Sequence, residues 1–281
     1  MRLTTVLALL LTTLPAAAHA QLFDNHVHLW DGEKSLREYE AQAKTDGVEP
    51  TLVAAMWFGG PNQALAGHPD QIRAANDAHW AMAKRHRNIL PVATVHPYDG
   101  ESALSEVDRL AKLGYRVLKI HAHTQKFDAA DPRVLTLVQR AGANGLTVLM
   151  DNAGILPGDC EKLLNLALAA PKTRFIFAHL GGMNFRFWNI LRAARTAKGL
   201  FADNIYFDIS ATPVLLADSP INDEFVWTMR SVGIDHILIG SDYPQYSLRQ
   251  NLDAIDRLPL TPEEKDKIRY DNAKALFKLT D

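Results

Sequence analysis

Two histidines separated by one residue end the first β-rich segment of the chain. The segment Leu22–His28 reads Leu-Phe-Asp-Asn-His-Val-His, so His26 and His28 lie two positions apart. Side chains two residues apart on a β-strand point the same way, and imidazole nitrogens are good zinc ligands. The pair therefore predicts one shared metal ion at the end of this strand.

Three further β-rich segments end in side chains that could do chemistry. Lys119 and His121 lie two apart at the end of one, and two inward-facing cations need an anion, a metal or a substrate carboxylate. His179 ends another segment and precedes two glycines, a place suited to an acid, a base or a metal ligand. Asp242 ends the last segment and suits a metal ligand or a general base. The structural alternatives are an ion pair with a barrel carboxylate for the lysine, burial in the core for the histidines and a helix cap for the aspartate.

These side chains belong to short β-rich runs that alternate with segments of helical periodicity. The predicted strands are Leu22–His28, Thr51–Trp57, Ile89–His96, Arg116–His121, Thr147–Asp151, Thr173–His179, Asn204–Ser210 and His236–Asp242. The predicted helices between them include Ser102–Lys112, Pro132–Ala143, Cys160–Ala170, Asn184–Lys198 and Asp218–Ser231. Eight strand-and-helix units in about 250 residues are typical of a (β/α)8 TIM barrel, whose active site lies at the carboxyl ends of the strands. An open doubly wound sheet is disfavoured because no Gly-rich phosphate turn follows the first strand.

Composition places the chain among ordinary folded proteins. It has 281 residues, of which 47% are hydrophobic and 22% charged, and its formal net charge is −2. These values exclude intrinsic disorder, and the lack of a Lys/Arg-rich run argues against a nucleic-acid partner. The lone cysteine, Cys160, rules out an intrachain disulfide.

The first twenty residues read as a secretory signal peptide. Arg2 precedes the apolar run Leu3–Leu14, and Ala18-His19-Ala20 fits a cleavage site. The run is shorter than the roughly 20 apolar residues that span a bilayer, and no second such run follows. We expect a periplasmic or secreted protein without a membrane span after cleavage, with residues 21–281 as a single barrel domain. Homo-oligomerisation stays open.

Some polar residues lie away from the strand ends. His68, His79 and His86 fall in the helical stretch after the second strand, where an exposed helix face accounts for them. Arg186, between two phenylalanines, is the most attractive anchor for a substrate carboxylate.

Taken together, the strand-end motifs resemble those of the amidohydrolase superfamily. The likeness is greatest to the amidohydrolase-related branch that includes aminocarboxymuconate semialdehyde decarboxylase, and it covers essentially all of residues 21–281. It is carried by His26-x-His28 and by the segments Gly114–His121, Phe177–Gly182, Gly240–Pro244 and Asp271–Ala273. The resemblance implies a distorted (β/α)8 barrel with one catalytic divalent metal ion, usually zinc. It also implies that His26 and His28 are ligands, that His179 polarises or protonates the substrate, and that Asp242 is both ligand and base.

The chain departs from that branch at the end of the fifth strand. The branch usually has a ligand histidine there, whereas this chain has Asp151. A carboxylate can bind zinc, so Asp151 is a candidate ligand in its place. The alternatives are that the metal has been weakened or lost, as in metal-free lactonases that resemble this branch, or that Asp151 pairs with Lys119.

The preferred interpretation is a metal-dependent hydrolase acting on a small substrate. A bound metal lowers the pKa of water to about 7, and Asp242 would take a proton as that water attacks an amide, ester or lactone carbonyl. His179 would stabilise the oxyanion, while Lys119, His121 and Arg186 would hold an acidic substrate. The rivals are decarboxylation or hydration in the same site, a metal-free lactonase, and a catalytically dead ligand-binding barrel.

Overall fold

The computed structural model describes residues 21–279, and within them eight parallel strands form one sheet in chain order. The strands are β1 Phe23–His28, β2 Leu52–Met56, β3 Ile89–Ala93, β4 Val117–Ile120, β5 Thr147–Met150, β6 Phe175–Phe177, β7 Ile205–Asp208 and β8 Ile237–Leu238. Their residues are almost all buried, as expected of strands that have side chains inside the barrel and helices outside it. The prediction of a (β/α)8 barrel is confirmed.

Backbone hydrogen bonds between β1 and the chain after β8 close the barrel. Asn25 N–H donates to the Ile239 carbonyl at 3.1 Å, and Asp242 N–H donates to the His26 carbonyl at 2.9 Å. The eighth predicted strand is therefore regular only over Ile237–Leu238, and its last residues are held to β1 by irregular backbone. This contact brings the ends of the first and eighth strands together.

Helices surround the sheet and follow the predicted pattern. They are α1 Glu33–Thr45, α2 Pro69–Ala83, α3 Glu101–Leu113, α4 Ala122–Gln125, α5 Pro132–Ala143, α6 Asp159–Ala169, α7 Ile190–Ala194, α8 Thr212–Leu216, α9 Asn222–Val232, α10 Leu248–Arg257, α11 Pro262–Asp266 and α12 Asn272–Phe277. The predicted bounds of α5 match the observed ones, because Asp131 caps its first turn by accepting the Arg133 N–H and Pro132 occupies the first helical position. None of the helices in residues 21–279 is long and apolar enough to cross a membrane.

The C-terminal helix α12 closes the amino end of the barrel. The Phe23 and Phe277 rings lie 5.6 Å apart, and Arg116 and Arg174, which precede two strands, donate to the last carbonyls of α12. Apolar side chains inside the barrel continue this packing toward its middle. The carboxyl end of the barrel is left for the polar side chains.

Two predictions about helices are wrong. The predicted helix Asn184–Lys198 is a run of 3₁₀ turns up to Asn189, and only α7 is α-helical. The aromatic side chains in this stretch have low helix propensity, and Phe185 and Trp188, three residues apart, both reach the core. His79 is buried rather than exposed, and its Nε2–H donates to the Ala55 carbonyl of β2 at 2.7 Å. The predicted signal peptide lies outside the described residues.

Candidate active site

A cavity of about 520 Å³ opens at the carboxyl ends of the strands. Its lining includes seven of the eight side chains that the sequence singles out: His26, His28, Lys119, His121, Asp151, His179 and Asp242. The eighth, Arg186, is not part of this lining. Its guanidinium instead donates to both carboxylate oxygens of Glu224 at 2.6 Å on the surface. The structure thus assembles the predicted centre but does not bring the predicted arginine anchor to it.

His26, His28 and Asp242 form a compact group of ligand atoms. One atom of each lies within 4.8 Å of the others, and Asp242 Oδ1 is 3.5 Å from His26 Nε2 and 3.6 Å from His28 Nε2. Burial opposes ionisation of Asp242, but electrostatic interactions with the surrounding histidines, His179 included, hold the pKa of its carboxyl well below its usual range. Asp242 therefore presents an ionised oxygen to two imidazoles.

The loop after β2 fixes the orientation of His28. Its Nδ1–H donates to the Phe58 carbonyl at 2.6 Å, which leaves Nε2 as the free lone pair on the cavity side. Gly59 follows, and a Cβ there would lie 2.6 Å from the same imidazole ring, so only glycine lets the loop approach so closely. Burial and the nearby Lys119 charge lower the pKa of His28 to about 4. His28 is thus a neutral, oriented ligand.

His26 is held on both sides of its ring. Its Nδ1–H donates to Asp208 Oδ2 at 2.6 Å, and Lys119 Nζ donates to its Nε2 at 2.6 Å. Burial lowers the pKa of Lys119, while Asp242, Asp151 and Asp208 partly offset that effect. Sequence reasoning missed Asp208, although it ends a buried strand as Asp242 does, because a lone aspartate in Phe-Asp-Ile-Ser matches no ligand spacing.

Asp151 belongs to a second group, with His179 and His121. Asp151 Oδ2 is 3.2 Å from His179 Nε2 and 3.5 Å from His121 Nε2. Burial would lower the pKa of His179, but its hydrogen bond to Asp151 and the charge of that carboxylate raise it to about 9. Burial lowers the pKa of His121 to about 4. The Asp151 carboxylate is therefore paired with a protonated His179 and lies outside the group of three possible ligands.

The backbone is strained where the site is built. His179 and Asp242 have φ angles of 64° and 59°, which non-glycine residues seldom adopt. The following Gly182 has a φ of 54°, and a Cβ on it would lie 2.4 Å from the Ala153 carbonyl. Such strain persists only where surrounding contacts enforce it, and His179 and Asp242 are two of the eight non-glycine residues with positive φ in the described chain.

Apolar side chains form the rim of the cavity. Trp30, Ile155, Met183 and Leu215 line it above the polar floor, and the last three are more than half exposed. An exposed apolar rim over a charged floor suits a small ligand with an apolar body and a charged end.

The group of three has the geometry and chemistry that a divalent ion needs. Zinc bonds to nitrogen and oxygen are about 2.0–2.2 Å long, and ligands of one tetrahedral ion then lie roughly 3.3 Å apart. The observed separations of 3.5 and 3.6 Å are close to that value, and the donors are two imidazoles and an ionised carboxylate. His26, His28 and Asp242 therefore fit a divalent metal ion.

Solved structures of known proteins share the fold of this chain. The 5-carboxyvanillate decarboxylase of Sphingomonas paucimobilis has a similar structure, with a TM-score of 0.71 and 16% identity over 93% of this chain and 100% of that one. The structure of a 2,6-dihydroxybenzoate decarboxylase bound to 2,6-dihydroxybenzoate is also similar, with a TM-score of 0.67 and 16% identity over 92% of this chain and 99% of that one. A dihydroxybenzoic acid decarboxylase from Polaromonas sp. JS666, with bound manganese and 2-nitroresorcinol, has a TM-score of 0.65 and 17% identity over 92% and 97%.

At such identities these structures establish a shared fold. No curated protein matches the chain significantly. The sequence model of the family described as Amidohydrolase, however, matches residues 23–279, nearly all of the described chain. The chain therefore belongs to the amidohydrolase family.

Proposed function

We propose that this protein is a metal-dependent, non-oxidative decarboxylase of small aromatic carboxylic acids. The observation that carries the proposal is that His179 is paired with the Asp151 carboxylate in the same cavity as a group of possible metal ligands, with its ring centroid 5.3 Å from that of His26. The three structural neighbours described above are named as decarboxylases of substituted benzoic acids, and these names supply the reaction and substrate class.

Both ring nitrogens of His179 face hydrogen-bond acceptors. Nδ1 lies 2.9 Å from the Ser210 carbonyl, and Nε2 lies 3.2 Å from Asp151 Oδ2. A carbonyl and an ionised carboxylate only accept, so the ring must carry both protons. His179 is therefore an imidazolium that can give up a proton inside the cavity.

Decarboxylation needs such a proton. The bond between a ring carbon and the carboxylate breaks, its electron pair stays on the ring carbon, and carbon dioxide leaves. His179 then donates its proton to that carbon and is reprotonated from water. Hydrolysis would instead require a basic carboxylate, and the histidines around Asp242 make it a weak base. Decarboxylation thus replaces hydrolysis as the preferred reaction.

A metal ion would be held by His26, His28 and Asp242. When bound there, a divalent ion supplies a Lewis acid that polarises substrate oxygens. Zinc suits this donor set, whereas manganese accompanies the Polaromonas neighbour, so both ions are candidates.

The charge balance of the described site favours an acidic substrate once a divalent ion is present. Among the groups that line the cavity, the two carboxylates of Asp151 and Asp242 are balanced by Lys119 and His179. A divalent ion would add two positive charges at the cavity surface, and the buried carboxylates of Asp208 and Asp24 lie behind His26. The apolar rim of Trp30 and its neighbours can cover an aromatic ring. One carboxylate on a small aromatic body fits both features.

The test is turnover on a panel of hydroxylated benzoic acids, with simple esters and lactones of similar size as comparators. Carbon dioxide release is measured after chelation and after adding Mn²⁺ or Zn²⁺. We expect metal-dependent release from at least one acid, and its loss in His179→Gln but not in the surface variant Arg140→Gln. Hydrolysis of the esters or lactones without carbon dioxide release would contradict the proposal.

We also propose that the protein acts outside the cytoplasm, as Arg2, the apolar run Leu3–Leu14 and Ala18-His19-Ala20 predict. N-terminal sequencing of the protein from the periplasm or medium tests this. A mature chain beginning at Gln21 is expected, and an uncleaved cytoplasmic chain would contradict it.

A further inference from the structure

We propose that Lys119 and the divalent ion compete for one lone pair of His26, and that the Lys119 amine moves to Asp151 when the ion binds. The inference rests on the metal site of the proposed function. It makes Lys119 a positioning residue that sets the affinity of the site for metal.

The hydrogen bonds of His26 leave one lone pair, which both Lys119 and a metal ion would use. Asp208 Oδ2, 2.6 Å from Nδ1, can only accept, so in the neutral ring the proton is on Nδ1. The Nε2 lone pair is then the only ligand electron pair of His26, and Lys119 Nζ already donates to it at 2.6 Å. A lone pair that accepts a hydrogen bond from Lys119 cannot bind a metal at the same time.

The amine also lies where the ion would sit. An ion bound to the group of three must lie about 2 Å from His26 Nε2 along that lone pair. Lys119 Nζ lies on the same atom at 2.6 Å, so both cannot occupy the space. Binding of the ion therefore requires Lys119 to leave His26.

Asp151 is the carboxylate placed to receive the displaced amine. The β4–β5 register pairs Lys119 with Leu149, two residues before Asp151, so the Asp151 side chain shares the inward face one step nearer the cavity. The Asp151 charge already acts on Lys119, whose present hydrogen bond is to His26. A carboxylate has about four acceptor positions, so Asp151 can bind Lys119 as well as His179.

The competition predicts how mutations change metal affinity. A buried hydrogen bond with a charged partner contributes enough for about a 10- to 100-fold change in an equilibrium constant. Lys119→Met removes the competing amine while keeping the length of the side chain, so Mn²⁺ should bind about 10- to 100-fold more tightly. Asp151→Asn removes the second position of the amine, so Mn²⁺ should bind more weakly when Lys119 is present.

The experiment is a double-mutant cycle read by calorimetric titration of Mn²⁺ into the metal-free full-length protein. The four proteins are wild type, Lys119→Met, Asp151→Asn and the double variant, with Lys162→Met as a control lysine that pairs with exposed Asp128 outside the cavity. We expect the effect of Asp151→Asn to be large in wild type and to fall below about threefold in the Lys119→Met background, and Lys162→Met to change nothing.

Three outcomes of this cycle would overturn the inference. An equal weakening by Asp151→Asn in both backgrounds would make Asp151 a direct ligand or a simple charge effect, and Lys119 would have no second position. Unchanged affinity in Lys119→Met, or no binding of Mn²⁺ by any of the four proteins, would remove the competition itself.

A second measurement needs no variant. In a crystal structure of the wild-type protein soaked with Zn²⁺, Lys119 Nζ should lie within hydrogen-bond distance of Asp151 and away from His26, and an amine still on His26 would overturn the inference.

These readouts report metal binding and not turnover. A protein that shows the expected coupling but decarboxylates no acid would refute the proposed function alone, whereas metal-dependent decarboxylation without coupling would refute only the role of Lys119.

Discussion

At pH 7, Asp151→Asn should change His179 from a protonated histidine into one that is mostly neutral. Burial lowers the pKa of His179, and the Asp151 carboxylate more than reverses this, to about 9. With the carboxylate replaced by an amide, burial still lowers the pKa and the Asp242 and Asp208 charges still raise it, so we expect the pKa to fall to near the ordinary value of about 6.5. The protonated fraction at pH 7 then drops from nearly complete to about a quarter.

The same change has a signature in stability. The pKa of His179 is higher in the folded protein than in the unfolded chain, so the folded state holds an extra proton between pH 6.5 and 9. This contribution is fully present below pH 6.5 and is lost as pH rises through 9, by about 3 kcal/mol in the free energy of unfolding. In Asp151→Asn that alkaline loss should disappear.

NMR titration of the metal-free protein labelled with ¹⁵N-histidine measures the pKa directly, and urea unfolding at pH 6.5 and 9 measures the stability change. Asp159→Asn is the matched control. It removes a nearby carboxylate, at the start of α6, that accepts a hydrogen bond from Leu156 N–H and not from His179. A His179 pKa in Asp151→Asn within one unit of wild type would refute the reasoning, since the charge of Asp151 would then not hold the proton.

Three further predictions follow from single contacts. Asp242→Asn should lower metal-dependent turnover by about 100-fold or more with the fold intact by circular dichroism, because the group of three loses its ionised ligand, and near-normal turnover would remove Asp242 from the site. His79→Gln should keep the hydrogen bond to the Ala55 carbonyl. Burial lowers the pKa of His79 to about 4, so the free energy of unfolding of the wild type should fall by about 3 kcal/mol as pH falls from 6.5 to 4, and that of the variant should not. Gly182→Ala should lower the free energy of unfolding by about 3 kcal/mol or more through the clash with Ala153, whereas Gly145→Ala, with open space around it, should lower it by only about 1 kcal/mol in urea unfolding.

The sequence predicts the positions of the site residues because it shows where each strand ends. His26, His28 and Asp242 each follow a short apolar run, and in a parallel barrel all such runs end at one mouth. The side-chain period of two then places the first two on one face. Neither step requires knowledge of side-chain rotamers, so the barrel and the position of these residues at its mouth could be derived from spacing, whereas the role of Asp242 as a ligand is what the family resemblance implies.

The partners within the site could not be predicted, because they depend on rotamers and on non-local register. Asp151 was expected either to bind metal directly or to pair with Lys119, whereas in the structure it pairs with His179 on the neighbouring strand, and Lys119 bonds to His26. Asp208, which orients His26 from β7, carries no motif at all. His79 has helical spacing that does not distinguish an exposed face from one packed on β2.

The residue at the end of β5 connects these observations. The family resemblance implies a neutral ligand histidine at position 151, and an aspartate there adds a negative charge without joining the ligand group. That charge lies 3.2 Å from His179 Nε2 and raises the pKa of this histidine, so we expect the aspartate to favour a protonated His179. His26, His28 and Asp242, at the closed seam between β1 and β8, do not depend on β5 for their geometry. Three possible metal ligands with a histidine–aspartate pair beside them suit the proposed reaction, in which a carbon–carbon bond breaks and the carbon must be protonated, because the acid would be charged before the substrate arrives.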